Sequence, residues 1–260
     1  MQNPLERLLI VSPHPDDDAI AAGGLMQRAA AVRVLVVTDG ERNPWPQRSM
    51  ERKWFLTRDD AARWGALRRR EALCAVKVLG HADVRFLGFP DQEIASLARR
   101  GDARLHEILA KEIADFQPTL IVSPSAQDLH SDHRAAAWYV HRAAPGDAKI
   151  VTFVVHGRGD RARISTMLQL TEPEIQRKRD AIACHESQLL LSRARFLSHA
   201  APAETFYRAE HDLVRVDSRF AQSLCTFRHG CGVLFGSYAG DGSDHSPQPV
   251  TIGARTSGPQ

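Results

Sequence analysis

Leu8-Leu9-Ile10-Val11-Ser12-Pro13-His14-Pro15-Asp16-Asp17-Asp18 carries an unbroken apolar run straight into a turn holding one histidine and three consecutive carboxylates. The run is short and bounded by prolines, the pattern of a strand buried on both faces, and the small residues 19–31 read as a helix behind it. Working outward, the same alternation recurs. Strands are expected at 32–37, 84–87, 120–122 and 150–155, and helices at about 57–79, 105–116 and 134–143. Residues 43–52, with their prolines and Trp45, read as a loop. Strand–helix alternation at this spacing predicts an α/β fold, Rossmann-like, with a mostly parallel sheet flanked by helices. Beyond Gly157 the pattern changes to an edge or antiparallel strand at 164–170, a charged helix at 172–191 and a last strand at 205–209.

In an open α/β sheet, ligands bind outside the carboxyl ends of the strands. Here those ends carry His14–Asp18, then Thr38-Asp39-Gly40-Glu41, Leu87-Gly88-Phe89-Pro90-Asp91, and the stretch from Ser123 to His133. One aspartate suffices to cap a helix. Three beside a histidine repel one another unless a cation is present. Asp128-Leu129-His130-Ser131-Asp132-His133 adds two histidines three apart, and the first and fourth strands can lie side by side in such a sheet. Mixed His/Asp ligation with an open position is the pattern of catalytic zinc, which activates water, while a neighbouring carboxylate takes up the proton. A nucleotide-binding reading would need a glycine-rich turn after the first strand, and HPDDD stands there instead.

These segments together resemble the LmbE/PIG-L zinc de-N-acetylases. Arg68-Arg69-Arg70-Glu71-Ala72, Leu87–Asp91, Lys178 with His185-Glu186-Ser187-Gln188, and Glu204-Thr205-Phe206 extend the likeness, in the family's order, over residues 6–210. The resemblance implies a metal site at the carboxyl ends of the strands, with Zn2+ held by His14, Asp17 and His133. It makes Asp16 the general base and has His130 stabilise the oxyanion or protonate the leaving amine. Arg68 and Asp91 would contact substrate. Asp18 departs from the family's commoner glutamate. The implied activity is removal of an N-acetyl group from an N-acetylglucosamine-type conjugate. Alternatives are an amidase acting on a thiol conjugate or an antibiotic glycoside, and a catalytically silent, metal-containing sugar-binding protein. The Trp- and Arg-bearing segment 43–70 is expected to offer surface for an aglycone, with Trp45, Trp54 and Trp64 as a candidate aromatic wall. His185 is expected to pack or support rather than ligate.

Composition sets the remaining expectations. A net charge of +3 on 260 residues is far from the basic footprint of a nucleic-acid binder. The four cysteines, Cys74, Cys184, Cys225 and Cys231, form no CxxC pair and suit reduced thiols in a cytoplasmic enzyme; Cys225, His229 and Cys231 lack the spacing of a structural zinc module. No apolar stretch is long enough to span a bilayer, and no basic region leads into one at the amino terminus. The resemblance makes the expected partner a small amino-sugar conjugate, composition leaves no nucleic acid and no transmembrane segment expected, and homo-oligomerisation is left open. Residues 1–235 are expected to form one domain and the Gly/Ser/Pro-rich residues 236–260 a flexible tail.

Overall fold

The computed structural model describes residues 5–209 and 250–251. Eight strands form one sheet in the order β3-β2-β1-β4-β5-β7-β6-β8. They are β1 (Arg7–Ser12), β2 (Ala31–Thr38), β3 (Asp83–Phe89), β4 (Leu120–Pro124), β5 (Ile150–Phe153), β6 (Ile164–Gln169), β7 (Ala203–Arg208) and the two-residue β8 (Val250–Thr251). From β3 to β5 all pairs are parallel, while β7 runs antiparallel to both β5 and β6. β1 lies between β2 and β4, with Leu9 paired to Arg33 on one side and Ile121 on the other. The chain reverses its direction of winding there, so a crevice opens at the carboxyl ends of β1 and β4.

The apolar run of β1 divides between two cores because alternate side chains leave opposite faces of a strand. Leu8 and Ile10 pack with α1 (Asp17–Met26), α3 (Arg58–Leu79) and α7 (Glu172–Ala183). Leu9 and Val11 pack with α4 (Ile94–Arg99), α5 (Arg104–Phe116) and α6 (Ser131–Ala143). Both faces are covered, which explains why the strand is apolar throughout rather than alternating.

Two expectations change. The predicted loop 43–52 contains the helix α2 (Pro44–Glu51), where Pro44 and Pro46 sit in the first turn and Asn43 Oδ1 accepts from the Trp45 amide at 3.4 Å. Proline is tolerated there because those amides have no partner inside the helix. The single helix expected at 172–191 is two, α7 and α8 (Glu186–Leu197), separated at Cys184 and His185. A carboxylate from another helix makes the break: Glu71 of α3 accepts from the Ser187 amide at 2.8 Å and its hydroxyl at 2.6 Å, capping α8. Of the expected tail, only Val250 and Thr251 are described, paired parallel to β6; the rest, with Cys225, His229 and Cys231, lies outside the described residues. No helix among the described residues is long and apolar enough to cross a membrane.

Candidate metal centre and active site

The three aspartates after β1 point to three different partners. Asp17, at the start of α1, accepts from the His14 amide at 2.9 Å and turns the same Oδ2 towards two imidazoles. Asp16 is the N-cap but makes no capping bond, so its carboxylate is free to meet Arg68 Nη2 at 3.2 Å. Asp18 folds back on Ser12, whose hydroxyl accepts the Asp18 amide at 3.1 Å. Burial, reinforced by the charges of Asp16 and Asp17, raises the Asp18 carboxyl to about 7.

His14 Nδ1, Asp17 Oδ2 and His133 Nε2 form a triangle with edges of 3.2, 3.2 and 3.3 Å. Tetrahedral zinc with bonds of about 2.0–2.1 Å needs ligand atoms about 3.3–3.4 Å apart, so this donor set fits the ion. The opposite nitrogen of each imidazole is taken by a carboxylate. His14 Nε2 lies 3.3 Å from Asp91 Oδ1, and His133 Nδ1 lies 3.1 Å from Asp128 Oδ2. Each carboxylate fixes a proton on the far nitrogen and leaves a lone pair on the near one, the outer-shell pattern of metal-binding histidines. With protons in place of a cation, burial works against charging His133, yet Asp17 and Asp128 hold its imidazole up to about 9. His14 is raised in the same way by Asp17 and Asp91, against its burial.

His130 is the N-cap of α6 and its Nδ1 accepts from the Asp132 amide at 3.3 Å. The neutral ring therefore carries its hydrogen on Nε2. Burial, then the neighbouring His14 and His133, lowers His130 to about 4. His130 lines the same cavity as His14, Asp16, Asp17, Arg68 and Asp91, a space of about 390 Å³.

The expected substrate contacts already have protein partners. Arg68 is 4% exposed; besides Asp16 it donates Nη1 to the Gly40 carbonyl at 3.0 Å. Gly40 must lack a side chain, since its φ is +61° and a Cβ would stand 1.5 Å from Arg68 Nη1. Asp91 accepts from the Arg42 amide at 3.0 Å through the oxygen that does not face His14. The aromatic wall expected from segment 43–70 is not there. Trp64 is in the core at 1% exposed, Trp45 and Trp54 are 69% and 84% exposed, and only Asn43 and Arg68 of that segment line the cavity. Two further arginines of that segment are paired, Arg63 to Asp60 and Arg69 to Asp39.

Other motif residues are structural. Lys178 donates to Glu204 at 2.6 Å in a fully buried pair, and Glu204 also accepts the amides of Gly24 and Leu25, tying β7 to α1 and α7. Removing one partner of such a pair costs about 3–5 kcal/mol. His185 is buried with neither ring nitrogen hydrogen-bonded among the described residues, and burial lowers it to about 4.

Sequence reasoning left Asp128 unassigned and passed over His156. Asp128 is the organiser of the β4 side: it accepts the amides of His130, Val155 and His156 and holds His133. His156 follows β5 and offers a ring nitrogen within 4.8 Å of a carboxylate oxygen of Asp17 and a ring nitrogen of His133. Its signal was its place at another strand's carboxyl end. The second half of α8 and the turn after it, with Leu191, Ser192, Arg195, Phe196 and His199, also line the cavity, and nothing in their spacing marked them.

Comparison with known proteins shows the family. The family model described as PIG-L: GlcNAc-PI de-N-acetylase matches residues 9–144, and the chain belongs to this family. A probable N-acetyl-alpha-D-glucosaminyl L-malate deacetylase 2 of Bacillus subtilis (strain 168) is 31% identical over 143 residues, 53% of this chain and 60% of that protein. A 2'-N-acetylparomamine deacetylase of Streptomyces fradiae is 31% identical over 134 residues, 49% of this chain and 48% of that one. The matches thus span between about half and about two thirds of the length of such relatives. The N,N'-diacetylchitobiose deacetylase from Pyrococcus horikoshii shares the fold, with a TM-score of 0.59 at 20% identity, covering 82% of this chain and 88% of that one.

Proposed function

We propose that this chain is a zinc-dependent hydrolase that removes an N-acetyl group from an N-acetylglucosamine-type sugar conjugate. The observation that carries the reading is the triangle of His14 Nδ1, Asp17 Oδ2 and His133 Nε2, with Asp16 beside it and free of it. Zinc held by these three residues supplies Lewis acidity towards water and towards an amide carbonyl. Asp16 takes the proton of the attacking water and returns it to the departing amine. The Arg68 guanidinium holds the Asp16 carboxylate in place, at 3.2 Å. His130, with Nδ1 occupied by a backbone amide, presents Nε2–H to the oxyanion that develops on the carbonyl oxygen. Asp91 and Asp128 orient the two ligand imidazoles. A silent sugar-binding protein would need neither a spare carboxylate nor a spare imidazole beside the triangle.

The relatives' names point to N-acetylated amino sugars joined to a second group, and a cavity of about 390 Å³ has the size of a small-molecule site. The test is acetate release from a panel of N-acetylglucosaminides, with and without a chelator. Release that the chelator abolishes and added zinc restores is expected. Release that persists after complete metal removal would sink the metal-dependent reading, and release from none of the panel would favour an amide outside the amino sugars.

A further inference from the structure

Helix α3 and the turn that starts α8 meet through more than a carboxylate cap. Glu71 of α3 takes the Ser187 amide and hydroxyl at 2.8 and 2.6 Å, which fixes the register of the two elements. One turn further along α3 stands Cys74, and three residues before Ser187 stands Cys184, the C-cap of α7. Residues three apart on a helix share a face, so the register that joins Glu71 to Ser187 also turns Cys74 towards Cys184. The two thiols are in side-chain hydrogen-bonding contact, and neither is in a disulfide.

The surroundings of the two thiols differ. Cys74 is exposed, whereas Cys184 is half-buried and packs against the core that α1, α3 and α7 share. Burial, then the hydrogen bond to Cys74, pushes the Cys184 thiol up to about 12, with smaller contributions from Asp180 and Glu186. The thiolate is the form that reacts, so Cys184 resists a reagent arriving from water, while Cys74 is open to one. The pair thus has an accessible member that reacts first and a sheltered member in contact with it.

We propose that Cys74 and Cys184 form a reversible disulfide that fastens the head of α8 to α3, with a small-molecule disulfide such as oxidised glutathione as the oxidant. Cys74, as thiolate, attacks one sulfur of the oxidant. That S–S bond breaks, and one glutathione leaves and takes up the proton that Cys74 lost. Cys184 then releases its proton to water and attacks the Cys74 sulfur. The mixed disulfide breaks, and the second glutathione leaves and is protonated in turn. The two protein thiols give up two electrons and two protons, and the oxidant takes up both. Sulfur atoms already in contact have only to close to about 2.05 Å. Helix α3 carries Arg68, and α8 carries Gln188 and Leu191, all of which line the cavity. The bond therefore ties one wall of the cavity to another without using a residue of the metal centre, and it does not depend on which amide is hydrolysed.

The test incubates the folded full chain with oxidised glutathione, quenches with acid, alkylates the remaining thiols and digests with trypsin. Mass spectrometry is expected to find residues 71–77 joined to residues 180–193, a species that dithiothreitol removes. The oxidised chain should melt roughly 5–10 °C above the reduced one, the scale of one cross-link closing a long loop in a chain of this size. Cys184→Ser should stop with glutathione on Cys74, Cys74→Ser should leave Cys184 unmodified, and neither should show the thermal shift. The wild-type digest decides the pairing whether or not a serine variant folds. Glutathione that stays on Cys74 of the wild type with no link to Cys184 overturns the inference. So does a link from either cysteine to Cys225 or Cys231 in place of the expected one. A bond that forms without raising the melting temperature leaves the two helices unfastened and overturns it as well.

Discussion

At the metal triangle Asp17 and His133 are 2% and 0% exposed, and each ligand imidazole has a carboxylate behind it; on the α8 side of the cavity Leu191 is 45% exposed and the Arg195 side chain has no ion pair among the described residues. The triangle is held by strand ends and by carboxylates behind the imidazoles, so its atoms are placed before any ligand arrives. The α8 side is held by a broken helix whose side chains face water. Changes at the triangle should therefore remove chemistry whatever the substrate, and changes on the α8 side should alter only which conjugate is taken.

The largest effect is expected from His133→Ala, which removes one corner of the triangle. Metal analysis should show most of the zinc lost and turnover lost with it. Full occupancy with normal activity would take His133 out of the centre. Asp16→Asn is expected to retain zinc and fold while turnover falls about 10²–10⁴-fold, the usual contribution of a general base. If zinc is lost as well, Asp16 and Asp17 share ligation and the division of the aspartates drawn above fails.

A smaller loss is expected from Asp128→Asn, which leaves the three ligands intact but weakens the hold on His133 Nδ1. Loss of such an outer partner typically costs about 10–100-fold in metal affinity or activity. A competition titration against a chromogenic chelator measures it. Unchanged affinity would mean that packing alone orients the ring.

The smallest effect lies outside the cavity, where Arg28 donates to both oxygens of Glu174 at 2.6 and 2.7 Å. That pairing, against partial burial and helped by the Thr171 bonds, holds the Glu174 carboxyl at about 2, below its ordinary 4.5. A depressed carboxyl stabilises the fold above its unfolded value and loses that contribution as pH falls towards its folded one. Solvent screening limits the contribution to about 1 kcal/mol. Glu174→Gln should therefore differ from wild type by a constant amount from pH 7 to 5, and the gap should close as the pH drops from 4.5 towards 2. A gap that persists at low pH would show that the carboxamide fails in packing rather than in charge.

The sequence by itself determined the parallel sheet, because strands buried on both faces leave unbroken apolar runs and their carboxyl ends collect the polar residues. It also marked His14, Asp16, Asp17, His130 and His133, since such groups crowded at strand ends have few structural uses. Their pairing across β1 and β4 was readable from the fold class, but the division of labour among the three aspartates was not. That depended on which carboxylate Arg68 of α3 reaches and on the path of Ser12. Only the tertiary structure revealed that Asp91 and Asp128 stand behind the imidazoles, that Glu71 ends α7 by capping α8, and that Trp45 and Trp54 do not line the cavity. The α8 side was the least legible part. Its residues come from a helix far along the chain, their spacing is that of any exposed helix, and a break at Ser192 has no local signature. Periodicity records which face of an element is buried, whereas the choice of partner for a polar side chain is made by contacts between elements remote in sequence.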